Sequence, residues 1–104
     1  MTKQELLKKV KQILLEIEPG AEIILYGSRS RGDATADSDW DFLILVDRTV
    51  DDQLIDRIRH QLYELEWECG EVLSAIVRNR KEWSQFPYSV LPIHDRIEAE
   101  GIRL

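Results

Sequence analysis

Asp39 and Asp41, two aspartates separated by one residue, are the side chains of this 104-residue chain best placed to do chemistry. They stand at the start of an apolar run, Trp40 to Val46, that reads as a strand. Side chains at i and i+2 share one face of a strand, so both carboxylates point the same way. Ionised carboxylates held close together repel, and burial sharpens the cost. A hard divalent cation relieves it. Magnesium typically takes one or two carboxylates and completes its shell with water and substrate phosphates. Two such ions bridged by this pair would clamp the attacking and leaving oxygens of an in-line phosphoryl displacement.

Ten residues separate Asp39 from Gly27-Ser28, which ends another β-rich run, Ala21 to Tyr26. Glycine lets backbone approach a phosphate closely. Ser28 offers a hydroxyl and a backbone N–H as donors. A helical turn starting there would add free N–H groups, and Arg29 and Arg31 put cations within reach of a polyphosphate. Each piece alone has an ordinary structural reading. Asp-x-Asp pairs cap turns or sit on solvated strand ends, and the arginines could pair with Asp33 or Asp37. The conjunction carries the signal, because both pieces sit at strand ends joined by a short loop.

The elements that must position these residues follow from periodicity. Residues 3–18 read as a helix with Leu6, Leu7, Val10, Ile13, Leu14 and Ile17 on one face, a Thr2/Glu5 capping box, and a stop at Pro19-Gly20. The nearly all-apolar Phe42–Val46 predicts a strand covered on both faces. Residues 51–68 read as a second long helix ended by Gly70. Residues 72–77 read as a third strand, 81–85 as a helical turn, and 93–100 as a last helix stopped by Gly101. The order α-β-β-α-β-α predicts an α+β domain (α/β mixed sheet): one small mixed sheet with helices packed on it, over residues 1–104.

Bulk properties narrow the class. The formal charge of −6 disfavours direct nucleic-acid binding by charge, since phosphate contacts need clustered Lys and Arg. A carboxylate site still accepts a triphosphate when metal sits between the like charges. No run is apolar and long enough to span a membrane, and the N-terminus shows no signal-peptide pattern. Cys69 is the only cysteine, so an internal disulfide and a thiolate zinc site are excluded, and the cytoplasm is the expected compartment. His60 and His94 make no metal motif. Trp67, Trp83, Phe86 and Tyr88 read as core packing around the third strand, with a docking patch for a partner or a homodimer as the alternative.

The string Gly27-Ser28-x(10)-Asp39-x-Asp41 resembles the G-S-x(10)-D-x-D signature of the minimal nucleotidyltransferase (MNT) family, within the DNA polymerase beta-like superfamily. The fuller Gly27-Ser28-Arg29-Ser30-Arg31-Gly32 and Ser38-Asp39-Trp40-Asp41 strengthen the match, as does the ending Ile97 to Leu104. The resemblance spans nearly the whole chain and implies the minimal nucleotidyltransferase fold. It implies that Gly27 and Ser28, with Arg29 and Arg31 beside them, hold ATP or another nucleoside triphosphate. Asp39 and Asp41 would be the catalytic pair binding Mg2+, one ion or two. The reaction would move a nucleoside monophosphate, AMP in some members, to an acceptor hydroxyl and release pyrophosphate. Many members are antitoxins encoded beside a HEPN-domain toxin ribonuclease, and some transfer AMP to a tyrosine of that toxin. A HEPN-type toxin is therefore the expected partner. An acceptor of another kind, a nucleic acid or a small molecule such as an aminoglycoside, fits less well.

One position departs from the family. The superfamily usually carries a third carboxylate on the third strand, and the matching position here holds Ser74. Glu71 would substitute only in a shifted register. Catalysis then proceeds on two carboxylates, or another group supplies the third, or the chain is a non-catalytic antitoxin that neutralises a toxin by contact.

Overall fold

A computed structural model describes residues 1–104. Its elements, in chain order, are α1 (Lys3–Ile17), β1 (Glu22–Tyr26), α2 (Ser28–Arg31), β2 (Trp40–Val46), α3 (Asp52–Cys69), β3 (Leu73–Asn79), α4 (Arg80–Trp83), a 3-10 turn (Tyr88–Val90), α5 (Pro92–Glu100) and β4 (Ile102–Arg103). The helices start where local chemistry supplies a cap. The Thr2 hydroxyl accepts the Glu5 N–H at 3.1 Å while the Glu5 carboxylate accepts the Thr2 N–H at 3.1 Å, which closes the expected capping box. Asp51 caps α3 by accepting the Leu54 N–H at 2.8 Å. Pro92 opens α5.

The strands form one mixed sheet in the order β3-β2-β1-β4. β1 runs antiparallel to β2 and to β4, and β2 runs parallel to β3. Period-two alternation divides the sheet residues between two faces. Ile23 and Leu25 of β1, Trp40, Phe42, Ile44 and Val46 of β2, and Leu73 and Val77 of β3 pack under α1 and α3. Leu6, Val10 and Leu14 cover them from α1, and Leu54, Ile58, Leu62 and Leu65 from α3. The opposite face is a smaller cluster in which Ile24, Leu43 and Leu45 meet Trp83 and Ile97. Phe42 to Val46 are all buried, so β2 is covered on both sides as its composition predicts.

Several details differ from the sequence reading. The third strand begins one residue later and runs two residues further, because parallel pairing with β2 continues through Val46 opposite Asn79. The last residues add β4, a fourth strand that periodicity cannot reveal in two residues. Gly101 lets the chain leave α5 and meet β1 at once. A Cβ there would lie 2.6 Å from Ile24 Cγ2 and 2.6 Å from the Ile97 carbonyl, so only glycine fits. The aromatic group also splits: Trp83 is buried and Tyr88 half-buried, whereas Trp67 and Phe86 stand exposed on the surface.

Candidate active site

β1 ends at Tyr26, and the chain turns at Gly27 with φ +79° into the short helix α2. That conformation is open to glycine and strained for other residues. A second constraint comes from space. A Cβ on Gly27 would sit 2.6 Å from Asp41 Oδ2, so the turn and the carboxylate touch through the missing side chain. The antiparallel register pairs Tyr26 with Asp41, which is why residues fifteen apart in sequence meet. On the other side of Asp41, the parallel register places Ser74. Residues 26, 41 and 74 thus lie side by side across three strands. The residue in register with Asp41 on β3 is therefore a serine and not a carboxylate.

Asp39 lies just ahead of β2 and is exposed, while Asp41 is half-buried. Burial raises the Asp41 carboxyl above its ordinary range, and the Asp39 charge raises it further. Tyr26 responds to the same environment: burial raises its hydroxyl, and the Asp41 charge adds to the rise. No third His, Cys, Asp or Glu joins the pair to make a protein-only metal cage. The available donors are carboxylate and hydroxyl oxygens. That set fits a magnesium ion that keeps water and phosphate in its shell, and does not fit zinc, which takes nitrogen and sulfur as well.

The two arginines have different settings. Arg29 reaches back along the loop. Its Nε and Nη2 donate to the Ser38 carbonyl at 3.3 and 3.0 Å, and its guanidinium lies 4.5 Å over the Trp40 ring. Glu71 approaches it at 3.6 Å. Arg29 thereby pins the residue before Asp39 to the glycine-serine turn, and Glu71 is engaged there rather than beside Asp41. Arg31 is more exposed and pairs with Asp33 and Glu100, each at 3.1 Å.

Sequence spacing gives no hint of Glu100. Its Oε1 accepts the Gly27 N–H at 3.3 Å across 73 residues of chain. Only the return of α5 over the sheet brings it there. The histidines stay outside the site. His60 faces Glu64 along α3 at 3.1 Å, and His94 stacks on Trp83 with ring centroids 4.8 Å apart.

The mixed four-stranded sheet, with a glycine-serine turn laid against an Asp-x-Asp strand, is the fold of the minimal nucleotidyltransferases. The nucleotidyltransferase domain family matches residues 7–95, and the chain belongs to that family. Solved structures share the fold at low identity. One is a toxin–antitoxin with AMP-PNP: TM-score 0.64 and 18% identity, covering 92% of this chain and 69% of that one. Another is a mutant of the toxin–antitoxin MntA-HpeT with two aspartates changed to glutamate: TM-score 0.61 and 14% identity, covering 99% of this chain and 72% of that one. A third is a further MntA-HpeT mutant, with a tyrosine changed to alanine: TM-score 0.59 and 20% identity, covering 100% of this chain and 72% of that one. No curated protein matches the chain.

Proposed function

We propose that this chain is a magnesium-dependent nucleotidyltransferase that moves a nucleoside monophosphate, AMP from ATP, to an acceptor hydroxyl on a partner HEPN-type toxin. The observation that carries this reading is the close approach of Gly27 to Asp41, a half-buried carboxylate that shares its end of the strand with Asp39. On this reading the turn would bind phosphate directly against a carboxylate that would bind the metal. Asp39 and Asp41 would hold the magnesium, which when bound offsets the charge of the triphosphate and polarises the reacting phosphate. Gly27 and Ser28 would hold the phosphates through backbone and hydroxyl donors. Arg31 would supply a cation, and Arg29 would serve the same site by clamping Ser38 next to Asp39. The acceptor oxygen would bond to the α-phosphorus as the bond to the bridging oxygen breaks. Pyrophosphate leaves, and the hydroxyl proton passes to solvent. The toxin–antitoxin assemblies among the structures of like fold, one of them with AMP-PNP, support a toxin partner and an adenine nucleotide.

Ser74 beside Asp41 favours a second reading, an antitoxin that acts by contact with a vestigial nucleotide site. Incubation with labelled ATP, magnesium and the toxin separates the two. Transfer that disappears in the Asp39→Asn/Asp41→Asn double variant supports the enzyme. A complex that forms and inhibits equally well without nucleotide, and with that double variant, supports the contact reading and removes the enzymatic one.

A further inference from the structure

Glu100 ends α5, and its side chain is largely enclosed, with 15% exposed. Its Oε1 accepts from two groups, the Gly27 N–H at 3.3 Å and Arg31 Nη1 at 3.2 Å, while Oε2 accepts from Arg31 Nη1 at 3.1 Å. Gly27 and Arg31 bracket α2, the four-residue helix that carries Ser28. One carboxylate therefore ties the start of the phosphate turn to its end. Four residues later, the Leu104 N–H donates to the Ile23 carbonyl at 2.9 Å, so the chain that presents Glu100 is itself fastened to β1. The close packing of Gly101 on Ile24 removes slack between the two.

We infer that Glu100 is a positioning residue for nucleotide binding: it splints the Gly27–Arg31 turn so that Gly27 keeps its contact with Asp41 and Arg31 is held at the site. This rests on the nucleotide site proposed above. Gly27 at φ +79° has the freedom to relax, and a four-residue helix has too few internal hydrogen bonds to hold itself. A charged acceptor on a backbone N–H is among the stronger fixings available to such a turn. Ordering the turn before the ligand arrives removes that cost from binding.

Two measurements test the splint on the full chain. The first needs no nucleotide: hydrogen exchange of the Gly27 amide, followed by NMR. Glu100→Ala is expected to speed exchange at Gly27 about tenfold or more while the amides of β1 and β2 stay protected. Glu100→Gln, which keeps the accepting Oε1, is expected to restore protection. The second is binding of a non-hydrolysable ATP analogue with magnesium. Glu100→Ala is expected to weaken it about tenfold, with Glu100→Gln within about threefold of the parent chain. A Gly27 amide unchanged in Glu100→Ala overturns the inference, and so does an analogue bound equally well or more tightly by that variant. Loss of Gly27 protection in Glu100→Ala, with no analogue bound by the parent chain, upholds the splint and removes the nucleotide reading instead.

Discussion

At the scale of single residues, Gly27 and Asp41 constrain one another. The glycine meets two demands at once, a positive φ and an empty Cβ position. Gly27→Ala is expected to cost about 1–3 kcal/mol in urea denaturation and to weaken magnesium binding, because the new methyl displaces the Asp41 carboxylate. Asp41 shows the opposite balance. Its carboxyl is raised in the fold, so folding favours the protonated form. The stabilisation is present below the unfolded pKa and is lost as pH rises through the folded one. Asp41→Asn is therefore expected to raise the melting temperature of the metal-free chain at neutral pH while abolishing transfer. A lower melting temperature would contradict this account. Ser74→Asp adds a third carboxylate in register with Asp41. The expected result is tighter magnesium binding by calorimetry and a less stable metal-free chain.

Among the elements, the caps and the two sheet faces carry the fold. Asp51 fixes the start of α3, the longest helix, and Asp51→Ala is expected to cost about 1 kcal/mol in chemical denaturation. Trp83 is the largest side chain of the smaller core face. It holds α4 onto Leu43 and Leu45, and Trp83→Ala is expected to cost about 3–5 kcal/mol by the same measurement. Trp67, 77% exposed and edge-on to Tyr63, lies outside both clusters. Trp67→Ser should leave stability within about 0.5 kcal/mol of the parent chain. All four aromatics looked alike in sequence. What divided them was whether each one's own position faced the sheet. Trp83 on α4 does, Trp67 on α3 does not, and Phe86 and Tyr88 sit in the turns after α4, where apolar character alone does not encode burial.

For the molecule as a whole, ligand binding and stability are linked. Magnesium that binds the folded chain alone adds about 2.7 kcal/mol at a hundredfold excess over its dissociation constant. Magnesium should therefore raise the melting temperature of the parent chain and leave that of Asp39→Asn/Asp41→Asn unmoved. Calcium, larger and less demanding in geometry, serves as the comparison.

Local order was legible because its causes are local. The 3.6-residue stripes of α1 and α3, the capping box, the stop at Gly70 and the continuous apolar run of β2 are properties of neighbouring residues. The Gly27-Ser28 and Asp39-x-Asp41 pieces were legible for the same reason, since each sits at the end of a readable strand. Register belongs to the tertiary structure. That Asp41 lies between Tyr26 and Ser74 depends on which residues pair across strands, and no single segment contains that information. The two-residue β4, the commitment of Arg29 to the Ser38 carbonyl, and the arrival of Glu100 at Gly27 were decided there too. Each depends on contacts between parts of the chain brought together by the packing of α5 and the closing of the loop, and packing is a property of the whole sheet rather than of any stretch of sequence.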